Sequence, residues 1–179
     1  MRWNEETIAF ARDASRVNDY YGAIARRIAP LLSPSDRVCD AGCGMGELSL
    51  ALQAYCAGVD AVDSSAPAID ALRGRAGEGV RPLCTDIRTL CPAQPYDAMI
   101  FCLFGRTQEA LRISARCCRG TVVLVKRDYA YHRFSAGQVS LGDFTARCAE
   151  QTLSAHGIPY EAERFTAEFG QPFRTLAAA

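Results

Sequence analysis

The sequence predicts an α/β fold with a doubly wound, mostly parallel sheet. Short apolar runs alternate along the chain with segments whose apolar residues recur every three to four positions. The runs are almost continuously apolar, which is typical of parallel strands covered by helices on both faces. Three closely spaced glycines follow the first run and mark a tight strand-to-helix turn. At 179 residues the chain fits one domain, over residues 1–179.

The first half of the chain contains a predicted helical cover and then alternating strands and helices. Residues 1–34 form the cover, because apolar residues recur at helical spacing from Ile8 to Leu31, and residues 35–179 form the α/β core. Strands are predicted over residues 38–41 and 58–63, and helices over residues 46–55 and from residue 66 to the glycines at 74 and 77. Ser65 is the expected N-cap of the latter helix.

The second half continues the alternation. Pro82 lies in the predicted third strand, residues 80–84, and proline lacks the N–H that a central strand donates, so this strand is expected at an edge of the sheet. Further strands are predicted over residues 96–101, 121–126 and 160–169, with helices over residues 107–118 and from 143 or 145 to 156. Residues 127–134 are polar and aromatic and are expected to form a loop.

Composition and charge narrow the classes of partner. The 20 basic and 20 acidic residues balance, so the chain lacks the positive field of sequence-independent nucleic-acid binding, and a nucleic-acid partner is disfavoured. Neither a signal peptide nor a membrane-spanning run is present, so no membrane partner and a cytoplasmic location are expected. The nine cysteines include no C-x-x-C pair, which favours reduced thiols and no metal site.

The glycine-rich turn indicates the kind of ligand. Its glycines are residues 42, 44 and 46 after Asp40, and Glu47 stands where a dinucleotide fingerprint has its third glycine. A carboxylate there disfavours a diphosphate at the helix N-terminus. The D-x-G-x-G-x-G pattern resembles motif I of the class I S-adenosylmethionine-dependent methyltransferases. The resemblance implies a Rossmann-like methyltransferase fold with strand order 3-2-1-4-5-(7)-6, and S-adenosylmethionine as the cofactor.

The resemblance covers most of the chain and implies a set of cofactor-binding residues. In this family the motif I amides hold the amino acid end of S-adenosylmethionine, and acids after the second and third strands take the ribose and the adenine. Asp63 suits a vicinal diol because a carboxylate offers two acceptor oxygens. Two of these roles have a structural alternative. Asp86 could cap a short helical turn instead of binding adenine, and Tyr20 or Tyr21 could pack in the core instead of closing the cofactor site. The implied residues are Tyr20, Tyr21, Asp40, Gly42, Gly44, Gly46, Asp63, Ser64, Asp86, Ile87 and Phe101.

No residue pattern marks a catalytic group. In-line methyl transfer needs approach geometry and water exclusion, so the catalytic residue is left unassigned, with Tyr129, Tyr131 and His132 as candidates if a base is required. Cys102 is interpreted as a buried strand thiol rather than a nucleophile. The fourth strand ends without the Asn/Asp-Pro-Pro-aromatic motif of the family's amino-directed nucleic-acid enzymes, which disfavours adenine or glutamine N-methylation.

The preferred interpretation is methyl transfer to a small-molecule or undefined acceptor. Two alternatives stay open. The first is a methyltransferase that acts on protein or RNA, which a basic face would favour. The second is a non-catalytic or oxidoreductase nucleotide-binding module, which would bind a dinucleotide in place of S-adenosylmethionine.

The C-terminal residues are expected to leave the sheet incomplete. Gly170 and Pro172 interrupt any strand there, and residues 176–179 favour helix. The seventh strand of the family's sheet is therefore predicted to be missing, as in a chain truncated at its C-terminus. The apolar edge of the fifth strand, residues 121–125, would then be open to another chain, so a homo-oligomer is one alternative.

Overall fold

The chain folds into a parallel sheet with helices on both faces, in a computed structural model that describes residues 3–129 and 140–169. The strands are β1 Arg37–Ala41, β2 Gly58–Asp63, β3 Val80–Cys84, β4 Tyr96–Cys102 and β5 Cys118–Val125. The helices are α1 Glu5–Val17, α2 Tyr20–Ile28, α3 Glu47–Leu52, α4 Ala66–Arg73, α5 Thr107–Cys117 and α6 Ala146–Ala155. The sheet order is β3-β2-β1-β4-β5, which confirms the predicted fold class.

The N-terminal cover consists of two helices. Asn4 begins α1 with a capping box, in which its side-chain oxygen accepts from the Thr7 N–H at 2.9 Å and Thr7 Oγ1 accepts from the Asn4 N–H at 2.9 Å. Glu5 and Glu6 in the first turn favour the same helix end electrostatically. Because α1 contacts α4 and α2 packs against α3, the cover lies over the first half of the sheet.

Two buried clusters fill the two faces of the sheet. The first joins Ile24 of α2 and Leu48 of α3 to the strands, and the second contains Ile113 of α5. Successive residues of β1 alternate between them, since Val38 belongs to the first cluster and Cys39 to the second. Burial on both faces explains why the strands are continuously apolar.

The two edges of the sheet differ. Pro82 of β3 lies opposite Ala61 of β2 at one edge, as its missing N–H predicts. At the other edge, β5 pairs with β4 alone among the described strands. Residues 170–179, on which the missing seventh strand depends, lie outside the described residues. The truncation, the extent of the single domain and the pairing of β5 with another chain therefore stay predictions.

The strand predicted over residues 160–169 is wrong. The structure shows no regular secondary structure over residues 158–169, which cross α2 and α6 and are called the crossing segment below. Arg27 of α2 forms an ion pair with Glu163, and Arg164 Nη2 lies 2.8 Å from Glu150 Oε1 of α6. A strand forms only beside backbone groups that are free to pair, and this segment packs against helices whose backbone bonds are already made.

Smaller differences concern the ends of elements. β5 begins at Cys118, three residues before the predicted start, directly after α5. Ser65 precedes α4 as predicted, but its side chain makes no capping bond to the described residues. The last helix is capped by Thr145, whose side chain accepts from the Cys148 N–H at 3.2 Å, and Gly157 follows its end with a φ of +63°. These boundaries depend on single hydrogen bonds, which a periodic pattern does not register.

Candidate functional site

A glycine-rich turn joins β1 to α3 at the carboxyl end of the sheet. Gly42, Gly44 and Gly46 have φ values of +72°, +57° and +78°, a region that residues with a Cβ rarely adopt. The N–H groups of Gly42 and Cys43 both donate to the Val62 carbonyl of β2, at 2.8 and 3.1 Å. The turn is therefore tied to the neighbouring strand, and its three alternating glycines are required by the backbone.

Side chains from three separate parts of the chain lie against these glycines. A Cβ at Gly42 would overlap the ring of Phe104, one at Gly44 would lie 2.5 Å from Trp3 Cζ2, and one at Gly46 would lie 2.5 Å from Leu72 Cδ1. Protein side chains thus pack directly against the backbone of the turn at all three glycines. A residue with a Cβ would not fit at any of these positions, so packing as well as φ requires glycine there.

Asp63, the last residue of β2, holds the turn. Its Oδ2 accepts from the Gly44 N–H at 2.9 Å, and its Oδ1 accepts from the Ser65 N–H at 2.8 Å. Each carboxylate oxygen has two acceptor positions, so each keeps one for a further donor. Ser64 is exposed beside it. The arrangement leaves Asp63 able to accept from a vicinal diol while it fixes the turn.

Asp40 lies beneath the turn and is 1% exposed. Its Oδ2 accepts from Ser49 Oγ of α3 at 2.5 Å. Burial raises the pKa of Asp40 to about 6, and the nearby charge of Asp63 acts in the same direction. A buried carboxylate of this kind is stabilised by a cationic group beside it.

Glu47 places a third carboxylate near the turn, at the first position of α3. It forms a double hydrogen bond with Arg75, whose Nη1 and Nη2 donate at 2.6 and 2.9 Å. The Arg75 guanidinium offsets the charge of Glu47, so Asp40 and Asp63 give the carboxyl end of β1 and β2 its negative character. These two carboxylates repel a diphosphate and attract an ammonium or a sulfonium group, so the donor set fits a zwitterionic ligand without phosphate.

The two tyrosines of the cover stand at the start of α2 with a third aromatic ring. The Tyr20 ring centroid lies 5.1 Å from that of Tyr21 and 5.0 Å from that of Phe169, which ends the crossing segment. Burial raises the pKa of Tyr20 to about 12 and that of Tyr21 further. Both rings also pack against the first core cluster, as the alternative interpretation expects.

The residues predicted to bind adenine are less accessible than the glycine-rich turn. Asp86 Oδ1 accepts from the Arg88 N–H at 2.9 Å, so this carboxylate caps its own turn, as the alternative interpretation expects. Ile87 is 4% exposed and Phe101 is fully buried, and both belong to the second core cluster. The structure therefore brings the exposed part of Asp86 to this edge of the sheet but turns the Phe101 side chain into the core.

The turn after β4 is strained and is held by a half-buried lysine. Leu103 has a φ of +53°, the one positive value among the described residues other than glycine. Lys126 Nζ, at the end of β5, donates to the carbonyls of Phe104 and Gly105 at 3.3 and 2.7 Å. Burial lowers the pKa of Lys126. Cys102 ends β4, and burial raises the pKa of its thiol to about 12, so it is not a thiolate at neutral pH.

The comparison with known families rests on the same stretch of chain. Residues 38–121 match the family model of the methyltransferase domain, from β1 and its glycine-rich turn to β5. This stretch is a methyltransferase domain, as the D-x-G-x-G-x-G pattern predicts. The class I methyltransferase fold orders its first five strands as this sheet does.

Solved structures share the methyltransferase fold of this chain. YjhP from E. coli is 17% identical, with a TM-score of 0.60 over 78% of this chain and 64% of that one. An rRNA methylase from Streptococcus thermophilus is 20% identical, with a TM-score of 0.51 over 87% of this chain and 89% of that one. Coclaurine N-methyltransferase bound to N-methylheliamine and SAH is 21% identical, with a TM-score of 0.51 over 64% of this chain and 40% of that one. These likenesses show the fold.

The methyltransferase chain is shorter than several of the proteins that it resembles. It spans 33%, 47%, 61% and 64% of the length of four solved structures that share parts of its fold. No curated protein sequence matches it significantly.

Three features of this methyltransferase site escaped the sequence analysis. Trp3 contacts Gly44 across about 40 positions of sequence, and no periodic pattern reports such a contact. The Ser49 bond to Asp40 and the Lys126 bonds to the turn after β4 are also non-local. Two of the candidate bases, Tyr131 and His132, lie outside the described residues.

Neither a metal centre nor a membrane span is found in the described part of this methyltransferase. Over residues 3–129 and 140–169, no group of three or more His, Cys, Asp or Glu side chains is placed to hold a metal ion. No helix within these ranges has both the length and the apolar character needed to cross a bilayer.

Proposed function

We propose that this protein transfers a methyl group from S-adenosylmethionine to a small-molecule acceptor. One observation carries the proposal: three left-handed glycines are tied by Asp63 to the end of β2, above a buried Asp40. A turn built from glycines lets a ligand approach its backbone closely, and its carboxylates suit a ligand that carries a ribose and positive charge but no phosphate. S-adenosylmethionine has these groups.

The proposed contacts follow from the position of each residue around the turn. Gly42, Gly44 and Gly46 expose backbone to the amino acid end, where Asp40 favours the ammonium group. Asp63 keeps one acceptor position on each oxygen for the ribose hydroxyls. The remaining proposed cofactor-binding residues are Tyr20, Tyr21, Ser64, Asp86, Ile87 and Phe101, the last through its backbone because its side chain is buried.

S-adenosylmethionine supplies an electrophilic methyl group on a sulfonium, and the chain supplies approach geometry and water exclusion. The aromatic rings of Tyr20, Tyr21 and Phe169 exclude water from one side. On the opposite side of the site, the strained turn after β4, which Lys126 holds in place, positions an acceptor. Positioning of this kind is worth several kcal/mol of a displacement barrier. No described residue is assigned as a base, and the neutral Cys102 thiol does not support covalent catalysis.

A small molecule is favoured as the acceptor because the charge of the chain is balanced. The 20 basic residues equal the 20 acidic ones, and polyanion binding needs a net positive surface. Among structures of this fold, one is an rRNA methylase and another holds N-methylheliamine, so the fold itself does not choose between acceptors. We also propose a cytoplasmic location, which the nine free cysteines support.

The proposal is tested by a thermal-shift panel on the purified chain. S-adenosylmethionine and SAH should each raise the melting temperature, because a ligand that binds only the folded state stabilises it by mass action. NAD and NADP should have no effect, since the carboxylates of Asp40 and Asp63 would repel their diphosphates. Stabilisation by NAD or NADP in place of the sulfur ligands would establish the nucleotide-binding alternative and refute the methyltransferase activity.

A further inference from the structure

A recess opens directly beside the turn after β4. It has a volume of about 550 Å³ and is lined by Leu103 and Phe104 of this turn, by residues of α5, and by Phe144. This volume is within the usual range of small-molecule pockets. Phe104 lines this recess, and its ring also packs against Gly42. The Phe104 ring therefore lies between the glycine-rich turn and the recess.

The walls of the recess are suited to a flat apolar ring. Phe144 is 41% exposed although it is a large apolar side chain, and Phe104, also in the lining, is partly exposed. Two exposed aromatic side chains in one recess favour an aromatic guest, which gains offset or edge-to-face packing. The positive φ of Leu103 bends the chain out of β4 at the rim of the same recess. Strain of this kind is characteristic of ligand sites.

The lining of the recess carries more basic than acidic side chains, which favours an anionic ligand. Three arginines, Arg88, Arg106 and Arg112, line it together with one acid, Glu109. Arg88 is paired with Glu109, and Arg106 Nε lies 3.4 Å from Asp143 Oδ2.

Arg112 has no acidic partner among the described residues. Other arginines of the described chain lie within 4.0 Å of a carboxylate, but no ion pair includes Arg112. Its guanidinium therefore keeps its donors for a ligand, and their planar geometry matches a carboxylate with two parallel hydrogen bonds.

We propose that the recess binds the anionic end of an aromatic acceptor, with Arg112 as the residue that recognises its carboxylate. The inference rests on the proposed methyl transfer and names the class of its substrate. The aromatic ring lies between Phe104 and Phe144, and its far edge reaches past Leu103 to the carboxyl end of β4. Ligands of open α/β sheets bind outside the carboxyl ends of the strands, so this edge is where the reacting atom belongs.

The same surroundings disfavour an RNA strand in the recess. The carboxylates of Glu109, Asp86 and Asp143 stand beside the arginines, with side chains that are 27%, 42% and 59% exposed. A single carboxylate can meet Arg112 without approaching them. A polyphosphate backbone, with one charge at every nucleotide, would also meet these three acids and be repelled.

Calorimetry with a matched pair of probes tests the inference. 4-Hydroxybenzoate and uncharged 4-hydroxybenzamide are titrated into the protein saturated with SAH. The benzoate should bind at least about tenfold more tightly than the benzamide, because only the carboxylate can pair with a guanidinium. Arg112→Gln should weaken benzoate binding by about tenfold, and Arg112→Lys should restore part of it as a point charge without the planar geometry. Arg73→Gln, at the exposed end of α4, is the control and should change nothing.

The outcomes separate this inference from the proposed function. If SAH binds but benzoate and benzamide bind equally, or neither binds, the anionic acceptor is refuted while the cofactor site stands. Unchanged benzoate affinity in Arg112→Gln refutes the role of Arg112. Displacement of benzoate by a short RNA oligonucleotide, with a steep dependence on salt, would assign the recess to a phosphate backbone instead. If SAH itself does not bind, the proposed function fails first.

Discussion

The two sides of the candidate site are held by different kinds of interaction. On the cofactor side, backbone N–H groups of the glycine-rich turn donate to the Val62 carbonyl and to the Asp63 carboxylate over 2.8 to 3.1 Å. By contrast, the crossing segment, which brings Phe169 to the tyrosines of the cover, is held by exposed ion pairs such as Arg27 with Glu163 and Arg164 with Glu150. Backbone hydrogen bonds shielded from water resist change, whereas exposed ion pairs contribute little. The glycine-rich turn is therefore the rigid part of the site, and the crossing segment is free to adapt.

The largest effect should come from a side chain in the glycine-rich turn. Gly42→Ala forces a residue with a Cβ to a φ of +72°, where that Cβ overlaps the Phe104 ring. The left-handed conformation alone costs about 1–2 kcal/mol, and the overlap adds to it. We expect SAH binding to weaken by about 100-fold or more in calorimetry. Gly74→Ala is the control, because Gly74 has an ordinary φ and open space around it. Equal SAH affinity in both variants would show that the turn does not meet the ligand.

Removal of the Asp63 carboxylate should have the next largest effect. Asp63→Ala loses acceptors for the Gly44 and Ser65 N–H groups and for the proposed ribose contact, so SAH binding should weaken by about 1.5–3 kcal/mol. Asp63→Asn keeps one acceptor oxygen and should fall between Asp63→Ala and the wild type. Asp70→Ala, in an exposed pair on α4, is the control. Wild-type affinity in Asp63→Ala would remove this residue from the site.

Stability and SAH affinity on the cofactor side should both depend on pH, through the protonation of Asp40. The pKa of buried Asp40 is raised to about 6 from an ordinary value of 3.8, so the folded state binds this proton more tightly than the unfolded state does. The contribution of Asp40 to the free energy of unfolding therefore rises as pH falls from 6 towards 4, and it is lost as pH rises through 6. SAH binding should change oppositely, because only ionised Asp40 attracts the ammonium group.

Calorimetry between pH 5 and pH 8 measures this dependence. SAH affinity should fall below about pH 6, by at most about tenfold per pH unit for one proton. Asp40→Asn should bind more weakly at pH 8 and lose the step near pH 6, with the Ser49 bond still available to its amide oxygen. An unaltered step in Asp40→Asn would assign the titration to another group.

On the acceptor side, the clamp on the turn after β4 can be released without harm to the cofactor site. Lys126→Met removes the donors to the Phe104 and Gly105 carbonyls and keeps the apolar stem. Amide hydrogen exchange at residues 103–106 should become faster, while SAH affinity stays within about twofold because no Lys126 bond reaches the glycine-rich turn. Unchanged or slower exchange would show that Lys126 does not hold this turn, and a large loss of SAH affinity would show that the two sides are coupled.

The smallest effect is expected at the crossing segment. Arg164→Gln breaks exposed pairs with Asp128 and Glu150, and the free energy of unfolding should change by less than about 1 kcal/mol. Limited proteolysis within residues 158–169 should nevertheless become faster, because local opening of the segment does not require global unfolding. A fall in global stability of several kcal/mol would show that the segment is part of the core.

The same comparison explains what could be predicted from the sequence. The edge position of β3 and the glycine-rich turn were predictable from local backbone constraints, through Pro82 and the three glycines, and the strand order from the family resemblance. The crossing segment was not, because alternation does not reveal whether a partner strand is available. Phe101 shows the same limit on a smaller scale. In a strand that is apolar throughout, the pattern does not tell which side chain faces the ligand edge and which faces the core.

A crystal structure of the protein with SAH tests the central claim most directly. The amino acid end of SAH should lie against the backbone of Gly42 and Gly44, and both ribose hydroxyls should lie within about 3.2 Å of the Asp63 carboxylate. The sulfur should then point to the space between the Tyr20 ring and the turn after β4. SAH bound away from the glycine-rich turn, or with its ribose turned away from Asp63, would contradict the account.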